Sequence, residues 1–336
     1  MFKNFLNSLI DGHNLTTHEA QEAMNAIMSG EVTSAQIAGF LIALKVKGEV
    51  AEEVAGFVKS MRSHSLKLNI SDENAVDGCG TGGDGANTFN ISTAAALVAS
   101  SAGVTIAKHG NRSVSSKCGS ADLLEALGGN IDPGTKKTEK LINNNKFGFI
   151  FAPRFHPAMK HAAVPRKELG VRTVFNILGP MTNPANVKRQ VIGVYDKSLM
   201  PLMANVLKLT GSEHVIIAHA HDGLDEFSVS SPTDYLELNE GEITAHTISP
   251  KDAGLSRHKL KELKGGNAYE NVKIIHSLFE GAKNGCRDAV LFNAGAMIYV
   301  SARTASIKDG VKTAKEAIDS GKAKEKLNEW IEKSQE

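Results

Sequence analysis

The sequence predicts an α/β protein: a small N-terminal α-helical bundle domain followed by a larger α/β domain with a mostly parallel central sheet. Three observations predict it. Apolar residues recur at helical spacing from Phe2 to about His64 without a proline, and from Ala75 onward short apolar runs alternate with helix-periodic segments. A length of 336 residues also leaves room for two lobes. Lys plus Arg number 38 against 37 Asp plus Glu, a net charge of +1 that excludes a dedicated polyanion binder. No run approaches the roughly 18 apolar residues of a membrane helix, and the opening MFKNFLNSLIDGHN lacks the parts of a secretory signal, so a cytoplasmic protein is expected. Cys79, Cys118 and Cys286 are too widely spaced to suggest a thiolate zinc site or a disulfide framework.

In the first lobe, Thr16 with Glu19 and Thr33 with Gln36 have the spacing of capping boxes, so helices start there and a bundle of three or four follows. Gly48 and the polar run Leu66 to Asn74 are connections, and the second ends a helical domain at about residue 70. Residues 71–336 then form the α/β domain, with a helical or hinge contribution from about 160–185 returning to the first lobe. Strands are expected at Ala75–Asp77, Val104–Lys108, Phe147–Phe151, Val191–Tyr195, His214–Ala218 and Ala289–Phe292. The clearest helices are Thr93–Ala102, Leu123–Leu127, Leu199–Leu209, Asn271–Lys283 and a charged amphipathic end, Lys308–Lys333. Tyr235–Leu238 and Glu242–Thr247, separated by Asn239–Gly241, read as an antiparallel hairpin at the sheet edge.

The densest chemical signal is Asp77-Gly78-Cys79-Gly80-Thr81-Gly82-Gly83-Asp84-Gly85, between a strand and a helix that begins near Ser92 or Thr93. Bare amides and a helix N-terminus suit a phosphate. Gly78, Gly80 and Gly83 also fit the dinucleotide-binding spacing, but that fold wants an acidic residue at the end of its second strand. Here that end is basic, Lys108-His109-Gly110-Asn111-Arg112-Ser113, and reads as a second phosphate loop. Asp225-Glu226 offers the hard oxygen ligands that Mg²⁺ prefers alongside water and substrate phosphate. A fourth segment, from Pro153 through His156 and Pro165 to Arg166, is stiffened by three prolines and presents a guanidinium fork suited to a carboxylate. His219 and His221 lack a third ligand at zinc spacing.

GTGGD at Gly80–Asp84, NIST at Asn90–Thr93, KHGNRSVSS at Lys108–Ser116, HPAMKH at His156–His161, RTVFNILGPMTNP at Arg172–Pro184 and DGLDE at Asp222–Glu226 occur in one order. Together they resemble the anthranilate phosphoribosyltransferase family of tryptophan biosynthesis, from the helical N-terminus to about Tyr299. The resemblance implies transfer of a phosphoribosyl group from 5-phosphoribosyl 1-diphosphate to the amine of anthranilate, and a homodimer joined through the helical domains. It places the donor on Gly80, Gly83, Asp84, Thr88, Asn90, Ile91, Ser92, Thr93, Lys108, His109, Gly110, Asn111, Arg112, Ser113, Val114, Ser115, Ser116 and Ser120. Mg²⁺, as two ions, would sit on Ser92, Asp225 and Glu226. Anthranilate would meet Gly80, Asn111 and Arg166, with His109, Pro153 and His156 lining its approach. No residue is implied as acid or base; Lys108, His109, Asn111 and Arg166 act by charge and position. The partners are small molecules, with neither nucleic acid nor membrane.

One departure from the family pattern stands at Ala163-Val164-Pro165-Arg166-Lys167, where a Pro-Val-Arg-Arg order is more usual. A residue before proline avoids the α region, so Val164 is expected to be extended and the acceptor helix to enter at a different angle. The rival readings are a nucleoside phosphorylase of the same fold and a non-catalytic nucleic-acid binder. The basic second loop suits a doubly phosphorylated donor better than a nucleoside, and the balanced charge disfavours nucleic acid.

Overall fold

The computed structural model describes residues 1–113 and 117–336. Val114, Ser115 and Ser116 of the second loop lie outside the described residues. Four helices open the chain: α1 Phe2–Ile10, α2 Thr17–Met28, α3 Ser34–Lys47 and α4 Ala51–Ser63. Both capping boxes form: Thr16 N donates to Glu19 Oε2 at 2.9 Å and Thr33 N to Gln36 Oε1 at 3.1 Å, with the reciprocal bonds at 3.3 Å. Each satisfies backbone donors that a helix start leaves without intrahelical partners.

The chain continues through β1 Val76–Gly80, α5 Ile91–Ser101, β2 Ile106–Gly110, α6 Ser120–Ala126, α7 Thr135–Asn145 and β3 Phe147–Phe151. Three short helices follow, α8 Ala152–Phe155, α9 Lys160–Leu169 and α10 Phe175–Met181. Ala162, Phe175 and Leu178 from the latter two share a core with Phe40 and Phe57 of the bundle. Next come β4 Arg189–Gly193, α11 Met200–Leu209, β5 His214–Ala220, and the hairpin β6 Thr233–Asn239 with β7 Glu242–Ile248. The final helices are α12 Ala268–Phe279, α13 Gly285–Val300, α14 Ile307–Asp319 and α15 Lys322–Gln335.

The seven strands are ordered β3-β2-β1-β4-β5-β6-β7, parallel from β3 to β5 and antiparallel at the hairpin edge. Alternation along the strands divides the cores. Val191 and Ile216 pack with α5 and α13 on one face, while Ile192 and Ile217 pack with α11 and the bundle on the other. Strand order reverses between β1 and β4, which pair from Val76↔Arg189 to Gly80↔Gly193. A crevice at the carboxyl ends of these strands is where open α/β sheets bind ligands.

Four expectations are corrected. Ala289–Phe292 is not a strand but part of α13, which is buried around nearly its whole circumference. A short apolar run has no period to separate a buried strand from a buried helix. Lys308–Lys333 is two helices, broken at Ser320-Gly321, where Gly321 takes φ 82. Val164 is helical rather than extended, because α9 runs through Pro165 to Leu169; the preference before proline is outweighed by packing of the buried Ala162 and Pro165. Finally, β1 extends to Gly80, so Gly78 is a strand residue. A Cβ there would press on the flexible end of the Met297 side chain, which places this glycine against the core rather than in the open loop.

Trp330 of α15 is fully buried and meets Phe147 edge to face, ring centres 5.5 Å apart. Trp330→Ala is expected to lower the unfolding free energy by about 3–5 kcal/mol, measured by urea denaturation; a loss below about 1 kcal/mol would contradict this packing role.

Candidate active site

The crevice is built where four strands end. Gly80 ends β1 and Gly193 ends β4, and Asp225 lies against both: Gly82 N donates to Asp225 Oδ2 at 2.9 Å, and a Cβ on Gly193 would collide with the Asp225 carbonyl. Gly193 therefore lets the acidic loop approach the glycine loop, a role the sequence reading missed. Its signal was a glycine at the end of an apolar strand.

Beneath the loops, Lys108 is almost completely buried and donates to Gly78 O at 2.6 Å, with Ser92 Oγ at 3.4 Å. Burial lowers its affinity for a proton, and Asp77, Cys79 and Glu226 nearby act in the opposite sense. Glu226 hydrogen-bonds to Ser92, and burial pushes its carboxyl up to about 7, eased by Lys108 and reinforced by Asp84. Asp225 is also raised, by burial, then by repulsion from Glu226 and Asp84. Glu226 thus lies against Ser92 and Asp225 against Asp84, on one side of the crevice. Three His, Cys, Asp or Glu residues do not converge into a cage of their own among the described residues. Two strained carboxylates and a hydroxyl nonetheless fit Mg²⁺, which keeps water and substrate phosphate among its ligands.

Asn90 stands at the N-cap position of α5, but its side chain donates instead to Cys118 O at 3.1 Å. Among the described residues, Asn90 Oδ1 and Thr93 Oγ1 are buried without hydrogen-bond partners. Ile91 beside them is core. Thr88 bridges to Lys264, and Ser120 Oγ donates to Asn111 O at 3.2 Å beside Gly110, closing the second loop onto α6. Two of the expected ligands are bonded to neighbouring acids. Arg112 donates to Asp122 at 3.1 Å and to Glu125 at 2.7 and 3.0 Å, and Ser113 N donates to Asp122 Oδ2 at 3.0 Å.

Asp77 organises the floor. Its carboxylate accepts from His109 N at 3.1 Å and from Asn183 Nδ2 at 2.8 Å, and Asn183 also reaches Ala107 O at 2.9 Å. Burial pushes Asp77 up to about 6. Neither Asp77 nor Asn183 had been singled out from sequence as a ligand, because their work is to hold β2 against the chain after α10.

His109 and His156 lie with ring centres 5.1 Å apart. Burial lowers His109 to about 3, with His156 adding to it, and lowers His156 to about 4. Both are neutral at pH 7 and too weakly basic to serve as strong proton acceptors. These depressed values also bear on stability. The unfolded chain takes up protons near pH 6.5 while the folded rings do not, so their contribution is complete above 6.5 and falls as pH drops towards 4. Asp77 and Glu226, with raised values, work in the opposite direction. The loss of unfolding free energy between pH 7.5 and 5 should therefore be about 2 kcal/mol smaller in His156→Asn than in the parent protein; equal losses would refute the buried neutral ring.

On the acceptor side, Pro153 lies in the first turn of α8 and Arg166 in α9. The Arg166 guanidinium carbon stands 5.0 Å from the centre of the Phe175 ring, and no acid pairs with it among the described residues. Burial lowers its proton affinity, a cost that a substrate carboxylate would relieve. A separate cavity of about 410 Å³ near Asp72, Thr105 and Arg303 lies at the amino ends of β1 and β2 and shares no residue with this site.

The helical bundle domain of the glycosyl transferase family matches residues 3–65, and its a/b domain matches residues 72–324. Anthranilate phosphoribosyltransferase of Acetivibrio thermocellus is 49% identical over 332 residues, covering 99% of this chain and 96% of the relative. That of Alkaliphilus metalliredigens is 49% identical over 336 residues, covering 100% and 99%. Among solved structures, the Thermus thermophilus enzyme superposes with a TM-score of 0.93 at 40% identity, covering 99% of each chain. The Saccharomyces cerevisiae enzyme, in complex with PRPP and Mg, gives 0.90 at 31% identity, covering 99% and 98%. With both domains matched in order and relatives near half identical along its whole length, the chain belongs to the glycosyl transferase family, among the anthranilate phosphoribosyltransferases.

Proposed function

We propose that this chain transfers the 5-phosphoribosyl group from 5-phosphoribosyl 1-diphosphate to the amine of anthranilate, giving N-(5-phosphoribosyl)anthranilate and diphosphate, in the cytoplasmic synthesis of tryptophan. The observation that carries the reading is the juxtaposition, at the switch point of the sheet, of buried Lys108 with the acidic pair Asp225-Glu226. Asn90 Oδ1 and Thr93 Oγ1, buried without a hydrogen-bond partner among the described residues, lie on the same helix start as Ser92. A basic floor with an acidic wall suits a diphosphate bound together with its cation, and suits a neutral nucleoside less well.

In the reaction the bond from ribose C1 to the diphosphate oxygen breaks, its electron pair leaves with diphosphate, and the anthranilate nitrogen forms the new bond before losing a proton. Mg²⁺, two ions in the full reading, held by Ser92, Asp225 and Glu226, would supply charge neutralisation for the departing diphosphate. Lys108 and the amides of the glycine loop stabilise the same developing charge from fixed positions, which is the usual source of the largest catalytic contribution. Gly80, Gly83, Asp84, Thr88, Asn90 to Thr93, the second loop and Ser120 hold the donor. Arg166 clamps the acceptor carboxylate, with Gly80 and Asn111 beside it, and His109, Pro153 and His156 line its approach. The aromatic amine is neutral at pH 7 and needs no strong base, which agrees with the two suppressed histidines. Orientation of the two substrates can contribute on the order of 7–11 kcal/mol to lowering the barrier.

Residues 1–70 with about 160–185 form the acceptor-side lobe, and the rest of 71–336 forms the donor-side lobe. Joint packing of Phe40, Phe57, Phe175 and Leu178 supports that division. Exposed Met1, Ile10 and Val46 on the bundle support a homodimer through this lobe. The test is anthranilate fluorescence followed in time with donor and Mg²⁺: decay requiring all components establishes the transferase, and no decay with folded protein rejects it.

A further inference from the structure

Two arginines six residues apart meet different partners at one joint. Arg166 lies over Phe175, the first residue of α10, across the short α9–α10 loop that turns at Gly170. Arg172 sits on that loop, exposed, and reaches across to the donor side. Its Nη2 donates to Gly83 O at 2.8 Å, and its guanidinium carbon stands 3.8 Å from the centre of the Tyr195 ring, just beyond β4.

The glycine loop is tied to its own sheet before this point, by Thr81 N to Gly193 O at 2.9 Å and Tyr195 N to Thr81 Oγ1 at 3.1 Å. At Gly83 it is tied to the acceptor segment, and among the described residues Arg172 makes that tie. Both the hydrogen bond and the stack are exposed to water and individually modest. They therefore hold the loop only as firmly as the joint bearing Arg172 is held.

We propose that Arg172 is a positioning residue that couples the two substrate sites, so that an acceptor carboxylate on Arg166 steadies the α9–α10 joint and, through Arg172, the grip of the glycine loop on the donor. The inference rests on the transferase reading above. The coupling is reciprocal, since two ligands that favour one arrangement must strengthen each other's binding by the same factor. Tyr195 serves as the platform that keeps the guanidinium plane aimed at Gly83.

Initial rates over a grid of both substrate concentrations measure the coupling as an interaction factor. In the parent enzyme, saturation with either substrate lowers the dissociation constant of the other. Arg172→Ala is expected to bring the factor to one and to raise the donor KM about tenfold, as loss of a charge-assisted bond predicts, while acceptor affinity without donor is unchanged. Tyr195→Leu, which leaves the arginine in place, should weaken the coupling in the same direction by roughly two- to fivefold, and Tyr195→Phe should restore it. A folded Arg172→Ala variant with parental donor KM and parental coupling overturns the inference, as does a Tyr195→Leu variant indistinguishable from Tyr195→Phe. A parent protein without turnover refutes the transferase reading instead, whereas one that turns over but binds its substrates independently refutes only the coupling.

Discussion

Asp225→Asn is expected to raise the Mg²⁺ concentration for half-maximal rate by about a hundredfold while leaving the protein at least as stable without the metal. The two effects have one cause. Asp225 is buried against Glu226 and Asp84, so its charge is costly until a cation offsets it. Asparagine keeps an acceptor for Gly82 N, now 2.9 Å from Asp225 Oδ2, but removes one of the anionic ligands. Loss of an outer-shell partner alone typically weakens metal affinity by about 10–100-fold, and loss of a direct charged ligand belongs at or above the top of that range. Thermal denaturation in chelator should show an unchanged or higher melting temperature. An unaltered Mg²⁺ titration would remove Asp225 from the metal site, and a lower melting temperature in chelator would show that the carboxylate is structural.

Arg166→Ala should raise the KM for anthranilate about a hundredfold, with donor affinity measured in the absence of acceptor unchanged. A pair of charge-assisted hydrogen bonds from a guanidinium fork to a carboxylate contributes on the order of 3 kcal/mol, which corresponds to that factor. The Arg166 guanidinium carbon stands 5.0 Å from the centre of the Phe175 ring, a contact that leaves its hydrogen-bonding capacity for a carboxylate. Arg166→Lys keeps the charge and loses the fork, so its KM should fall between the two. Equal losses for both substrates would exclude the carboxylate clamp. Because α9 continues through Pro165, the unusual Val164-Pro165-Arg166 order still leaves Arg166 on that helix.

Much of this site was legible because its chemistry is local. The glycine loop, the basic end of β2 and Asp225-Glu226 are each contiguous, and although a basic turn or an acidic pair alone is commonly plain surface, the three together point to a phosphate with its cation. The capping boxes at Thr16 and Thr33 were legible for the same reason, since a cap and its partner are three residues apart. Misreadings arose where local pattern is silent. Burial around nearly all of α13 erased the periodicity of Ala289–Phe292, and Gly78 read as part of a phosphate loop although its neighbour is Met297, more than two hundred residues away in sequence.

The sequence by itself determined the α/β class with its small helical lobe, and the order of the glycine loop, the basic loop and the acidic pair, because periodicity, caps and contiguous motifs are properties of neighbours along the chain. Only the tertiary structure decided that Gly193 must admit Asp225, that Asp77 and Asn183 pin the floor, that Arg112 turns to Glu125, and that Arg172 reaches Gly83. Each of these depends on contacts between distant segments, where burial and close approach set the role of a residue and nothing in its local sequence records them.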